Sequence, residues 1–537
     1  MAKRNKQRQP SRSPKPKTKR PVRTDSFSGL LSKISGHHFT PVILGISYFF
    51  IASLISFRHH QILDYGMESD FLFDYVPLAR QITEGHMPIG AYRGPVYPMM
   101  LATANAIVGD YFKSGLLLSL LSAAVALAFS FSLIRRLFSG EVAVAVALLM
   151  TANTYFFMYT YQVGTDMLFC ALVTACLYYL LAGTEMNWAR LSVSAVLGGV
   201  AYLTRYNGIF ILAVPPLILL ANPLNLDWRR RLLAAGLFTV MFAACIAPWG
   251  LYLLKEKGNF FYSQNSQNVA WEIYGKNLMS REAFFGKGNP FQSMSIGALV
   301  RHNPLLFFGT LGRNFWKYGA ETAKTLLGWP LAALSLAGLA LLLVRKMSSR
   351  QASYLLLNVA FFLLLLPVHL EIRYPLFMLA GLLTLAVCGL SLWNLDSGRR
   401  LRVASVLLFV ALVVYTFDNS YDINRREIGL GPKDVVIIAD WFKANASPEM
   451  RGKIVAARKP HIAYYMGLEY LPLPFANSVE ELTVRLKELK VGYLYFGAME
   501  YSLRPELRDL IDPTLSWPGL KRITMTDRPL SILYQLE

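Results

Sequence analysis

Charged side chains are scarce in this 537-residue sequence. Asp, Glu, Lys and Arg together make up 16% of it, whereas hydrophobic residues make up 54%. About a quarter of the residues of an ordinary soluble protein are charged. The shortage argues against a soluble enzyme and predicts an integral membrane protein with several spans.

Acidic residues are scarcer than basic ones: the sequence has 33 Asp and Glu against 54 Lys and Arg, which gives a net charge of +21. The excess is concentrated, because residues 1–36 carry eleven Lys and Arg and a single acid, Asp25. We expect residues 1–40 to form a disordered cytoplasmic tail with a loose attraction to anionic lipid. The sequence has no RNA-binding motif, so nucleic acid is not a predicted partner.

Cysteine and glycine-rich motifs are also lacking. The four cysteines, Cys170, Cys176, Cys245 and Cys388, all lie in apolar segments, which argues against a disulfide framework. No P-loop or Rossmann fingerprint is found, so nothing indicates a nucleotide donor. The first apolar segment lacks a convincing cleavage site and is interpreted as a retained signal anchor.

Eleven apolar stretches are candidates to cross a hydrocarbon core of about 30 Å. They are residues 41–57, 114–134, 141–158, 165–183, 190–204, 207–221, 232–254, 325–344, 352–370, 374–394 and 401–417. With the basic tail in the cytoplasm, the compact Lys and Arg clusters all fall on the inner side. This orientation predicts a transmembrane domain at 41–417 in the plasma membrane, with outer loops 58–112 and 255–324.

Residues 418–537 have a different pattern, in which short amphipathic helices alternate with short strands. Strands are predicted at residues 453–457, 491–496, 521–525 and 530–536, and helices at 435–445, 478–490 and 504–511. This alternation predicts a small α/β domain, which the orientation places outside the cytoplasm.

The loop 58–112 gathers carboxylates beside the first span, a costly arrangement unless they bind or react with something. An amphipathic helix is predicted near Asp70 and Asp74, and Asp70 is read either as a charge at the helix start or as a general base. Arg93 and Tyr97 lie in the following rigid turn. Arg93 is suited to bind a phosphate or to pair with Asp70 or Asp74.

Further polar residues fall on the same predicted face. Asp166 is read as part of a helix N-cap, and Arg205 as a guanidinium that snorkels or binds an anion. His369, Glu371 and Arg373 share one turn, where Glu371 is able to neutralise Arg373 and where the metal-ligand signal is weak. Their convergence predicts one polar cavity with cations for an anion and carboxylates for proton transfer.

These motifs together resemble the lipid-linked glycosyltransferases of the GT-C superfamily. The branch is the one similar to dolichyl-phosphate-mannose protein mannosyltransferases and aminoarabinose transferases. The matching residues are Asp70-x-x-x-Asp74-Tyr75, Arg93-Gly94-Pro95-Val96-Tyr97-Pro98, Thr165-Asp166, Gly199–Arg205, Arg373-Tyr374-Pro375 and Ala457–Tyr465.

The resemblance implies a polytopic α-helical GT-C fold and an inverting transfer of a hexose or pentose. The donor is a polyprenyl-phosphate sugar, and the acceptor is a lipid, a glycan or a protein on the non-cytoplasmic face. By position Asp70 is the catalytic carboxylate. Many relatives have a second acid next to it, where this chain has Phe71, so Asp74 or Glu68 would have to supply that second acid. Asp74 is therefore the alternative catalytic carboxylate. The donor phosphate is assigned to Arg205 and Arg373, and more weakly to Lys255 and Lys257.

Two other functions are compatible with the sequence: a transporter or flippase for a lipid-linked saccharide, and a non-catalytic assembly protein. A transporter would place polar or broken helices at the membrane midplane. The charges here lie at the predicted outer boundary, which favours the enzyme. The motifs require no cofactor, and they neither require nor exclude a bound divalent cation.

Overall fold

The computed structural model describes residues 37–221, 225–276, 278–279, 284–285, 289, 291, 294–390 and 399–537. The predicted cytoplasmic tail, apart from residues 37–40, lies outside these residues.

Residues 40–427 are mainly helical. The α-helices are α1 (Thr40–His59), α2 (Glu68–Asp70), α3 (Val76–Thr83), α4 (Val96–Val108), α5 (Tyr111–Leu137), α6 (Gly140–Ala152), α7 (Thr154–Tyr161), α8 (Asp166–Leu181), α9 (Trp188–Thr204), α10 (Phe210–Leu220), α11 (Trp228–Lys257), α12 (Asn265–Ala270), α13 (Ile296–His302), α14 (Pro304–Glu321), α15 (Trp329–Val344), α16 (Ser349–Leu365), α17 (Leu379–Leu390) and α18 (Arg399–Glu427). Five short 3-10 or π-helical turns supplement them, at Phe71–Tyr75, Tyr206–Ile209, Trp271–Gly275, Thr322–Leu327 and Tyr374–Met378.

Four of the described helices are long and apolar enough to cross a membrane, namely α1, α5, α11 and the Val403–Glu427 part of α18. The number rises to six if each of two sharply bent helix pairs counts as one span. Every predicted stretch contains a helix, but several are short, and the predicted count of eleven spans is not confirmed. The chain is a multi-pass membrane protein.

Two local signals explain the bent pairs. Asn153 ends α6 and caps α7 by accepting hydrogen bonds from the amides of Tyr155 and Phe156, so the predicted span 141–158 is broken with a bend of 62°. Gly328, with a φ of +76°, separates residues 304–327 from α15 at a bend of 116°. Only glycine adopts this backbone conformation readily.

The stretch 255–324, predicted as a loop, contains the 18-residue helix α14. Its start is fixed by Asn303, whose side chain accepts a hydrogen bond from the Leu306 amide, and by Pro304 in the first turn. In the loop 58–112 the two predicted helices are found, as the continuous helical stretch 68–83 and as α4.

The C-terminal part forms the predicted small α/β domain. Its helices are α19 (Lys433–Asn445), α20 (His461–Met466), α21 (Val479–Glu488) and α22 (Ala498–Leu503), with a 3-10 turn at Pro505–Ile511. Its strands are β1 (Ile454–Ala457), β2 (Glu469–Pro472), β3 (Val491–Phe496), β4 (Leu520–Asp527) and β5 (Leu530–Leu536).

The five strands form one sheet in the order β2-β1-β3-β5-β4. β1 pairs in parallel with β2 and β3, whereas β5 is antiparallel to β3 and β4. The central strand β3 is buried on both faces, with Tyr493 and Tyr495 in one apolar core and Leu494 and Phe496 in the other. Alternate side chains of a strand point to opposite faces, so the domain has helices on both sides of the sheet.

Helices α15 and α17 pack closely at two glycines. A Cβ atom added at Gly338 would overlap the carbonyl oxygen of Leu385, and one added at Gly389 would overlap that of Leu334. Small residues allow helix backbones in membranes to approach in this way.

We predict that Gly338→Ala forces α15 and α17 apart and lowers the free energy of unfolding by about 1–3 kcal/mol, the usual cost of overpacking. The measurement is the thermal melting temperature of the purified protein in detergent. Gly236→Ala in α11 is the matched control, because a Cβ there meets no atom within 4 Å. Equal melting temperatures for the two variants would contradict the close packing.

Candidate active site

Asp70 lies between two arginines from distant parts of the chain. Its Oδ2 atom is 2.9 Å from Nη2 of Arg93 and 3.2 Å from Nη2 of Arg373. The Arg373 side chain is 8% exposed and that of Asp70 is 38% exposed. The carboxylate is thus held by one buried and one partly buried arginine, while part of it stays accessible to a ligand. Of the two sequence interpretations of Arg93, its pairing with Asp70 is confirmed.

The local sequence explains how Asp70 is held. It ends the short helix α2 and is followed by the π-helical turn Phe71–Tyr75, in which Phe71, Leu72 and Tyr75 are buried. These apolar side chains anchor the stretch in the core and leave the carboxylate on the other side.

Arg93 is positioned by the residue that follows it. A Cβ atom added at Gly94 would overlap the carbonyl oxygen of Leu203, two residues before Arg205. Only glycine permits this approach, which brings the turn carrying Arg93 against the end of α9.

A second ion pair lies beside the first. Asp166, the first residue of α8, pairs through Oδ1 with Nη1 of Arg205, and both side chains are buried. The helix starts where the sequence predicted, with Thr165 at the N-cap position and Asp166 in the first turn, but Thr165 makes no capping hydrogen bond and the Asp166 carboxylate pairs with Arg205 instead. A buried guanidinium binds the carboxylate more strongly than a single backbone amide does.

Tyr374 joins the two pairs. The guanidinium carbons of Arg205 and Arg373 lie 5.3 and 5.4 Å from the centre of its ring. Nε of Arg373 is also 2.7 Å from Oε2 of Glu371, which confirms that Glu371 neutralises this arginine. The three arginines and three carboxylates therefore form one connected cluster.

The Tyr75 ring packs against both the Arg93 guanidinium and the Tyr97 ring. The two rings pack edge to face with centroids 4.8 Å apart, and the Arg93 guanidinium lies 5.1 Å from the Tyr75 ring centre. The Tyr75 hydroxyl is 3.3 Å from the Thr165 hydroxyl, next to Asp166. Tyr97 is fully buried and supports the site without being exposed to a ligand.

The two neighbouring carboxylates differ in their electrostatics. Burial favours the neutral form of Asp70, but Arg93 and Arg373 outweigh it and lower its pKa to about 2. For Asp74, burial raises the pKa and repulsion from Asp70 adds to this, against an opposing effect of Arg93. Asp70 is thus ionised throughout the physiological range, and Asp74 takes up a proton more readily.

Sequence reasoning missed Glu272, which the structure places beside His369. Its carboxylate is buried, lies 3.0 Å from Nζ of Lys276, and accepts a hydrogen bond from the Tyr318 hydroxyl. Nδ1 of His369 is 3.9 Å away. The only local signal was an acid four residues before a lysine, a common surface pair.

Two of the predicted phosphate-binding residues have other neighbours. Lys255 is 3.8 Å from its neighbour Glu256, and Lys257 lies 5.9 Å from the centre of the Tyr262 ring. Within the described part of the chain no group of three or more His, Cys, Asp or Glu side chains is arranged to hold a metal ion.

We predict that Asp70→Asn destabilises the protein at pH 7, whereas Asp74→Asn leaves its stability unchanged or raises it. A carboxyl group with a lowered pKa stabilises the folded state above its unfolded pKa of about 4. Because Asp70 is partly exposed, solvent screening limits its contribution to the free energy of unfolding to about 1 kcal/mol. The measurement is the melting temperature of each variant against pH.

The difference in melting temperature between Asp70→Asn and the wild type should become smaller as the pH falls from 4 towards 2. In that range the wild-type carboxylate becomes protonated and loses its charge, as the asparagine variant has already done. A difference independent of pH, or an equal one in Asp74→Asn, would contradict the assigned charge states.

Comparison with known proteins agrees with this architecture. A family model described as dolichyl-phosphate-mannose-protein mannosyltransferase matches residues 92–252. No match is found among curated proteins.

Solved structures give the broader likeness. ArnT from Cupriavidus metallidurans bound to undecaprenyl phosphate aligns with 93% of this chain and 98% of its own, at 13% identity and a TM-score of 0.57. The archaeal oligosaccharyltransferase AglB from Archaeoglobus fulgidus, in complex with an inhibitory peptide and a dolichol-phosphate, aligns with 87% of this chain and 70% of its own, at 14% identity and a TM-score of 0.56. The chain therefore has the fold of ArnT and AglB, and over residues 92–252 it resembles the protein mannosyltransferase family.

Proposed function

We propose that the protein is a membrane glycosyltransferase that moves a sugar from a polyprenyl-phosphate donor to an acceptor. The observation that carries the proposal is the position of Asp70, a partly exposed carboxylate bound by Arg93 and Arg373. The fold adds support, since ArnT and AglB have been solved with undecaprenyl phosphate and a dolichol-phosphate respectively.

The arginines are suited to the donor. A guanidinium presents a planar set of N–H donors that matches the oxygens of a phosphate. When the bond from the sugar to the phosphate oxygen breaks, that oxygen keeps the electron pair, and nearby cations stabilise the developing charge. We assign this role to Arg373 and Arg205, with Arg93 beside them.

The carboxylate is suited to the acceptor. A hydroxyl or amine of the acceptor attacks the anomeric carbon from the face opposite the phosphate, and its proton passes to Asp70. One bond forms as the other breaks, so the configuration at that carbon inverts. The products are the glycosylated acceptor and the polyprenyl phosphate.

Asp70 is a weak base while both arginines hold it. A phosphate that binds Arg93 and Arg373 draws these cations from the carboxylate and raises its basicity. Donor binding would in this way prepare the base. Asp74 is the stronger base in the free protein, but no ion pair joins its side chain to an arginine among the described residues, and we place it second.

We place the reaction on the non-cytoplasmic face of the plasma membrane, with the C-terminal domain on that side. The distribution of Lys and Arg clusters supports this orientation. Asp166, His369 and Glu371 would belong to the substrate pocket, with the buried Tyr97 packed beneath it, and the more exposed Lys255 and Lys257 would attract the anionic donor from the membrane surface.

We predict that Asp70→Asn lowers the rate of sugar transfer by about 10²–10⁴-fold, the usual contribution of a general base. The measurement is transfer of labelled sugar from polyprenyl-phosphate donors by the purified protein in nanodiscs, with and without chelator and added Mg²⁺. Asp110→Asn is the matched control, because this acid of the same loop caps α5 by accepting a hydrogen bond from the Lys113 amide, a role that asparagine can also fill. Wild-type rates in both Asp70→Asn and Asp74→Asn would overturn the catalytic proposal.

A separate prediction concerns sidedness. A reporter that is active only outside the cytoplasm, fused after Glu537, should be active, and the same reporter inserted after Arg136 should not. The opposite pattern would reverse the proposed orientation.

A further inference from the structure

The segment 63–69, which leads directly into Asp70, is contacted by the C-terminal domain. The hydroxyl of Tyr465 accepts a hydrogen bond of 2.9 Å from the Leu63 amide. Nε2 of His461 donates one of 2.6 Å to the Asp64 carbonyl oxygen. Tyr465 and His461 both belong to α20.

A third contact reaches the residue before Asp70. Nζ of Lys459 donates a hydrogen bond of 3.0 Å to the Ser69 hydroxyl and lies 6.0 Å from the centre of the Phe73 ring. Phe73 also packs edge to face against Tyr470 of β2. The domain therefore touches the chain on both sides of Asp70.

The membrane part holds the same segment from the other side. Oε1 of Glu68 accepts hydrogen bonds from the Val163 amide, at 2.9 Å, and from Nε2 of His60, at 2.7 Å. Nε2 of Gln162 donates one of 3.0 Å to Oδ2 of Asp64. Residues 63–69 thus make hydrogen bonds to both the membrane part and the C-terminal domain.

The His461 contact does not depend on pH near neutrality. The side chain is fully buried, and burial lowers its pKa to about 4. The neutral ring carries its proton on Nε2, since that atom faces a carbonyl oxygen.

We propose that Lys459, His461 and Tyr465 are positioning residues for Asp70. Through residues 63–69 they set the place of its carboxylate relative to Arg93 and Arg373. This inference rests on the proposed function, in which Asp70 touches the acceptor. The small C-terminal domain then helps to position Asp70, although none of its groups takes part in the bonds that form and break.

The expected effect is on turnover. A misplacement of about 1 Å in a catalytic group costs up to about 10²-fold in rate. Tyr465→Phe removes the hydroxyl that accepts from the Leu63 amide, and Lys459→Met removes the ammonium group that contacts Ser69 and Phe73, while both keep the apolar bulk. We expect about a threefold to tenfold fall in kcat with little change in the KM for the donor.

The test compares these variants with two controls in the nanodisc transfer assay. Tyr534→Phe also removes a buried tyrosine hydroxyl, one that donates to the Leu510 carbonyl oxygen within the domain, and should keep the wild-type kcat. Lys459→Arg retains a cationic donor and should recover most of the kcat lost in Lys459→Met. The acid limb of kcat/KM against pH, which reports the pKa of Asp70 in the free enzyme, should move to higher pH in Tyr465→Phe, because a displaced Asp70 is paired less well with its arginines.

The inference is overturned if Tyr465→Phe and Lys459→Met keep the wild-type kcat and pH profile, or if Tyr534→Phe loses as much activity as they do. It is then wrong even where Asp70→Asn is inactive and the proposed function stands. Full activity of Asp70→Asn would instead remove the proposed function itself.

Discussion

The double pairing of Asp70 with Arg93 and Arg373 is the constraint on which the rest of the site depends. Charges beside a membrane are costly unless they are compensated. The pairs with Asp166 and Glu371 complete a cluster of three arginines and three carboxylates. Because the charges of this cluster already balance, the phosphate of the proposed donor would have to compete with a carboxylate for an arginine. In the proposed mechanism, binding of the donor and release of the base are therefore coupled.

The sequence predicted much of the fold, since its signals are local. Apolar runs located a helix in every expected membrane stretch, and alternation located β3 and β5 with their correct ends. The breaks at Asn153 and Gly328 were missed, because each depends on one residue whose capping or backbone conformation is decided by its neighbours. Strand β2 was missed because its four residues pair only with the edge of β1.

The site was predicted less completely. Its members were recognised as polar residues at helix ends, and the resemblance to a known superfamily assigned them roles. Their partners were harder to predict: Arg373 is about three hundred positions from Asp70, and no spacing rule connects such residues. Glu272 was overlooked for a related reason, since its burial against Tyr318 is a property of the folded chain.

The close contact between Gly94 and the Leu203 carbonyl has a consequence for how the site tolerates change. It fixes the spacing between the turn with Arg93 and the helix end with Arg205, so the pocket proposed for the phosphate has almost no freedom to widen. Every residue other than glycine would add a Cβ atom at this position, and that atom would overlap the carbonyl oxygen. The width of the proposed pocket thus depends on the absence of one side chain.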